Sequence, residues 1–201
     1  MSGRDAWFTT THDWSVDVDR NHLSQIRSHP GRYAPGGVLH MILEVLAYAV
    51  DEAEDQGGGH ATVTFGSDGT IDVTDLGRGT DTRSDHGMAV RKPVVSTKDV
   101  RFFDRPHPVL LSDGHPRRGM STVSALSEML EHTNRRIDGS WTGGYEHGVP
   151  VTELLSTAPT EHTGTTIRFR PDTSLIPPSP LTPDDLRAAI APNDFLTVSV
   201  R

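Results

Sequence analysis

Between Val38 and Asp75 the hydrophobic pattern changes period, and no other feature of the chain constrains its fold as strongly. The run "VLHMILEVLAYAVDEAED" (38–55) is apolar, with its polar residues at helical spacing. Gly57, Gly58 and Gly59 close it. "HATVTFGSDGTIDVTD" (60–75) then alternates apolar and polar residues about Ser67-Asp68-Gly69, the pattern of a β-hairpin. An apolar helix followed at once by a half-apolar hairpin buries both faces by stacking helix on sheet.

The flanking segments extend that plan. Residues 1–22 read as an N-terminal arm, polar and aromatic by turns (Trp7, Phe8, Trp14). "LSQIRSHPGRYAPGG" (23–37) begins as a short helix and breaks at Pro30-Gly31. Residues 76–119 contain no long helix or strand, and about 80–118 is expected to be an irregular lid region, mobile without ligand. Val123, Leu126, Met129 and Leu130 predict a helix from Ser121 to about Glu131, with strands near 132–146 and 165–170. The domain so defined spans 23–175. Residues 176–201 read as a proline-rich tail with a short helix near Pro183–Ala191, capped by Thr182. The expected class is α+β, a two-layer sandwich with helices on one face of a mixed, mostly antiparallel sheet.

Composition narrows the function. Net charge is −8, so the chain lacks the electrostatic footprint of a nucleic-acid binder, and no nucleic-acid partner is expected. The absence of cysteine excludes disulfides, thiol catalysis and zinc–thiolate sites. No apolar run reaches the length of a membrane span and the N-terminus has no apolar signal core, which predicts a cytoplasmic protein without a membrane partner. Lys92 and Lys98 are the two lysines; the bias to Arg, Asp, Gly and Pro resembles proteins of high-GC genomes such as actinomycetes.

Within "EVLAYAVDEA" (44–53), Glu44, Tyr48 and Asp51 lie four and three residues apart and share one helical face beside Val45, Leu46, Ala49 and Val50. Such a face is either the wall of a pocket or a solvated stripe. His86, His107 and His115 fit no compact ligand spacing, and no metal site is expected from them. "HPRRG" (115–119) places two arginines near a helix start, where they complement a phosphate or carboxylate or form an exposed basic turn.

Five segments, in order, are similar to the ATPase domain of DNA gyrase B and of the E-type subunit of topoisomerase IV, members of the GHKL superfamily. They are "IRSHPGRYAPGGVLHMILEVLAYAVDEA" (26–53), "DGTIDVTDLGRG" (68–79), "VSALSEMLE" (123–131), "YEHGVP" (145–150) and "TGTTIRF" (163–169). The resemblance covers residues 26–172 and implies a helix layer on a mixed sheet with ATP between them. It also implies roles. Glu44 matches the general base that activates water against the γ-phosphate, and Asp75 the acid that accepts the adenine amino group. Gly77 and Gly79 match glycines that let backbone approach the purine, Arg78 an arginine at the pocket mouth, and Thr165 a threonine that supports adenine through water.

The chain departs from the family at its phosphate end. Tyr48 stands where the family's magnesium-binding asparagine is expected, and Ala47 replaces the preceding aspartate. A neutral phenol is a poor ligand for an ion that takes octahedral oxygens. The glycine-rich lid "GGLHGVG" is replaced by "DGHPRRG" (113–119), in which Pro116 has no N–H to donate. The upstream segment with the family's Gly-Gly-Lys reads "VRFFDRP" (100–106). The chain is further expected to act without the transducer domain and its lysine.

These departures predict a degenerate, stand-alone gyrase-B-like domain that has lost Mg-ATP hydrolysis. Its pocket is expected to bind and transform a small molecule by cofactor-free acid–base chemistry, such as isomerisation, elimination or cyclisation, in specialised metabolism. Glu44 and Tyr48 are the catalytic candidates. Asp51, Asp75, Gly77, Arg78, Gly79, Thr165, His115 and Arg117 are the ligand-binding candidates. Two alternatives stand beside this reading: a weak gyrase-type ATPase using ATP with Mg²⁺, and a non-catalytic decoy that binds gyrase-directed antibiotics. The sequence does not set the oligomeric state.

Overall fold

The period change at 38–75 folds as the sequence predicts. In the computed structural model, which describes residues 11–86, 88–103, 106–137, 139–158, 161–178 and 180–201, the chain begins with helices α1 (Arg20–Ser28), α2 (Pro30–Tyr33) and α3 (Val38–Gln56). Trp7 and Phe8 of the expected arm lie outside the described residues. Helix α3 buries Met41, Ile42, Leu43, Val45, Leu46 and Ala49. It ends at Gly57, whose N–H still reaches back to the last turn and whose left-handed φ of 74° lets the next N–H, of Gly58, return to the Ala53 carbonyl at 2.8 Å. Strands β1 (Gly59–Phe65) and β2 (Ile71–Asp75) follow as an antiparallel hairpin with Phe65 opposite Ile71.

The remaining elements in chain order are strands β3 (Arg83–Asp85) and β4 (Met88–Val90), a 3-10 turn at Pro93–Val95, and helix α4 (Met120–Ala125). After them come β5 (Ser127–Arg136), β6 (Gly139–Glu146), β7 (Val149–Pro150), β8 (Leu155–Ser156), β9 (Gly164–Pro171), α5 (Pro183–Ala189) and β10 (Leu196–Val200). The main sheet has the order β10-β1-β2-β9-β5-β6-β7, with β8 also on β6. Its β1–β10 pair is parallel and its other pairs are antiparallel. Helices α3 and α4 cover it, and the core forms where Ile42, Leu46, Val123 and Leu126 meet Val63, Val73, Ile167 and Phe169. This is the expected α+β sandwich. No helix among the described residues is long and apolar enough to cross a membrane.

Two expectations need correction. The helix predicted for 121–131 ends at Ala125, and Ser127–Arg136 is a strand. Apolar residues at 126 and 130 fit both periods, so local pattern cannot decide between them. Tertiary pairing decides: β5 is hydrogen-bonded to β9 on one side and β6 on the other, and its interior side chains include Leu130 and His132. The second correction concerns the end of the chain. The helix near 183 is present, with a capping box between Thr182 and Asp185. The strand β10 that follows was not anticipated, and it pairs Leu196 with Gly59 at the sheet edge. Within 80–118 the elements are short: the β3–β4 hairpin, the 3-10 turn and an isolated bridge from Leu110 to Pro116.

Candidate functional site

A cleft of about 480 Å³ opens between α3 and the sheet. Helix α3 contributes Val45, Tyr48, Ala49, Asp51 and Glu52; the sheet contributes Val73, Asp75, His132, Thr165 and Ile167. Sequence position explains this wall. The α3 residues recur at three- and four-residue spacing, and the strand residues alternate toward the helix layer.

One end is built around Asp75, the last residue of β2. Its Oδ1 accepts the N–H of Gly77 at 2.8 Å. Burial raises its pKa, while hydrogen bonds from Gly77 and Thr165 oppose the rise. The glycines around it are steric requirements. At Gly164, with φ of 138°, a Cβ would stand 2.1 Å from the Asp75 carbonyl oxygen. At Gly79, with φ of 81°, it would stand 2.6 Å from the Arg135 carbonyl oxygen. Arg78 sits at the mouth, held by Glu52 at 2.8 and 2.9 Å and by Asp55 at 3.3 Å.

The Tyr48 end is occupied by protein charge. The Tyr48 hydroxyl donates to Asp99 Oδ2 at 3.0 Å and accepts the N–H of Met120 at 3.4 Å. Asp99 is fully buried; burial would raise its pKa, but His12 and Arg101 hold it well below the usual carboxylate range. Arg101 grips Asp99 through Nη2 at 2.8 Å and Nε at 3.1 Å. Arg117 makes a two-point pair with Asp51 and lies over the Tyr48 and Phe102 rings, 4.7 and 4.2 Å from their centroids.

Glu44 is placed differently from the expectation. Tyr48 and Asp51 line the cleft, but Glu44 does not; it is fully buried. Its Oε1 accepts the N–H of Arg118 and its Oε2 the N–H of Gly119, the latter at 2.8 Å. His40 Nε2 stands 3.3 Å from Oε1, and His40 Nδ1 is 2.7 Å from Asp113 Oδ2. Burial alone would lower the His40 pKa, but the Glu44 and Asp113 carboxylates raise it. His115 and Arg117 also lie off the cleft wall. The His115 ring stands edge-on to His40 at 6.2 Å, and the Arg117 charge is used by Asp51. Gly77 faces an adjoining depression shared with Glu52 and Arg78.

Sequence reasoning missed His12, Thr80, Asp81, Lys92, Arg101 and His132, all of which line the cleft. His132 is fully enclosed, burial lowers its pKa to about 3, and Nε2 meets Thr80 Oγ1 at 3.2 Å. The period-two burial of Leu130 and His132 was the available signal, hidden by reading the segment as helix. Among the described residues no three His, Asp or Glu side chains converge as a metal-binding group.

No family model matches the chain. It is similar to the DNA gyrase B of Thermotoga maritima, 30% identical over 185 residues and 89% of this chain. The B-type subunit of DNA topoisomerase 4 from Staphylococcus epidermidis is 32% identical over 161 residues, 76% of this chain. The DNA gyrase B of Haloferax volcanii is 33% identical over 165 residues, 75% of this chain. The chain spans only 29%, 24% and 25% of the lengths of these three relatives.

Proposed function

This chain is a GHKL domain of the gyrase B type, and from that premise we propose that its cleft binds a small molecule at the Asp75 end without hydrolysing Mg-ATP. The burial of Glu44 carries this reading. A general base must reach the proton it removes, directly or through one water. Both Glu44 oxygens are instead taken by the backbone N–H groups of Arg118 and Gly119, and His40 closes the remaining side. The Tyr48 end adds to the argument, because Asp51, Asp99, Arg101 and Arg117 neutralise one another there.

The Asp75 end is suited to recognition. A carboxylate at the end of a cleft walled by Val45, Ala49, Val73 and Ile167 takes a flat apolar group that presents an N–H or O–H donor. If the bound molecule is transformed, Asp75 is the better acid–base group. It faces the cleft, and burial moves its pKa toward neutrality.

A thermal-shift titration combined with a phosphate-release assay tests the proposal. Adenosine or an aminocoumarin is expected to raise the melting temperature by mass action, with no further gain from Mg²⁺ and no phosphate released from ATP. Mg-dependent phosphate release by the pure protein would overturn it in favour of the weak-ATPase reading.

A further inference from the structure

We propose that Lys92 is a carbonyl-reactive amine that captures an aldehyde or ketone in the cleft as an imine, an inference that rests on the cleft being a small-molecule site. Lys92 precedes the 3-10 turn at Pro93–Val95 and is partly buried. It shares the cleft wall with Thr80, Asp81, Val94 and His132.

The charges around it set it apart. Arg78 is paired with Glu52 and Asp55, and Arg101 with Asp99 and Asp51. Among the described residues no carboxylate stands within ion-pair distance of Lys92; Asp81 and Asp99 act on it at longer range. His132, on the same wall, is held neutral by burial and adds no second positive charge. An ammonium removed from water without a counter-ion loses stability relative to the free amine, and neighbouring guanidinium groups add to the loss. Burial therefore lowers the Lys92 pKa, with Arg101 and Arg83 acting in the same direction and the two aspartates against it. The wall thus presents a nucleophilic nitrogen beside Val73, Val94 and Ile167, which offer apolar surface to the carbon skeleton of a carbonyl compound.

The chemistry balances without an oxidant or reductant. The Nζ lone pair forms a bond to the carbonyl carbon, and the C–O π pair moves to oxygen. Nitrogen loses a proton and oxygen gains one, giving a carbinolamine. The hydroxyl oxygen then takes a second proton and leaves as water while the nitrogen lone pair closes the C=N bond, giving an iminium whose N–H proton is released in turn to leave the neutral imine. The Asp81 carboxylate, on the same wall, can relay these protons to and from solvent.

The lysine count makes the test clean, because Lys92 and Lys98 are the two ε-amines of the sequence. Lys98 lies over the Phe103 ring at 4.8 Å and does not line the cleft, so it serves as the internal reference. The folded wild-type protein is treated with benzaldehyde and cyanoborohydride at neutral pH, and both sites are followed by peptide mass spectrometry. Lys92 is expected to be modified several-fold faster than Lys98, with the difference lost in denaturing urea. A Lys92 rate equal to or below that of Lys98 in the folded protein overturns the proposal. The two readings separate in the same samples. If adenosine stabilises the protein but Lys92 reacts no faster than Lys98, the imine proposal fails and the binding site stands. If Lys92 reacts fast and no adenine-end ligand shifts the melting temperature, the binding reading fails and the amine stands.

Discussion

Arg117 closes on Asp51 through two parallel hydrogen bonds, Nη1 to Oδ1 and Nη2 to Oδ2, each 2.8 Å long. The pair ties the 113–119 loop to α3 and engages the Arg117 guanidinium with protein charge. Arg117 is only 5% exposed, so removing this partner leaves a buried charge unpaired.

Asp51→Ala is accordingly expected to destabilise the fold by about 1–3 kcal/mol, less than a fully buried pair because Asp51 itself reaches solvent. Urea unfolding at neutral pH measures it. A loss below about 0.5 kcal/mol, the level of an ordinary surface substitution, would show that the pair does not hold the loop.

Glu44→Gln offers a contrast with the sequence expectation. A catalytic base tolerates an isosteric amide, and the fold should then be indifferent to the change. In the structure each carboxylate oxygen accepts a backbone N–H, so the amide must turn its NH₂ toward one of those donors. A stability loss of about 1–3 kcal/mol is expected. Wild-type stability combined with lost turnover of a cleft ligand would return Glu44 to the catalytic role.

Gly164→Ala tests the cradle of Asp75. The new methyl would meet the Asp75 carbonyl oxygen at 2.1 Å, on a backbone already in a region that disfavours side chains. Strand β9 or the end of β2 has to shift, at a cost of about 2 kcal/mol or more. The melting temperature should fall by several degrees and adenine-end ligands should weaken. A variant with wild-type melting and binding would show that the close approach is not required.

Stability should fall as pH drops from about 6.5 toward 4. Burial lowers the pKa of His132 to about 3 and of His22 to about 4, so in the fold both stay mostly neutral until the pH nears those values. The unfolded chain takes up protons there ahead of the folded chain, which favours unfolding by a few kcal/mol in all. His40 has the opposite sign. Its raised pKa gives stability that is complete below the ordinary imidazole value and is lost as pH rises through the folded value. Urea midpoints at pH 7 and pH 4.5 check the acid limb; an unchanged midpoint would mean that the two histidines are not held neutral.

Local physics made much of the fold legible in the sequence. A 3.6-residue period ended by Gly57, an alternating hairpin about Gly69, and a Thr182 cap over a short helix are settled by residues a few positions apart. The turn at Asp75 was legible for the same reason, since Asp75 accepts the N–H of Gly77 two residues on and the family resemblance runs through both; Gly164, which packs on the Asp75 carbonyl, comes from a distant strand. Strand β5 was not, because Leu126 and Leu130 satisfy either period and the choice lies with neighbours in β6 and β9. The Tyr48 end was illegible for a similar reason. Glu44 meets Gly119 across 75 residues and Asp51 meets Arg117 across 66. A helical face shows which acids stand together; which donors reach them depends on how a distant loop packs, and here that loop sets two backbone N–H groups on the Glu44 carboxylate.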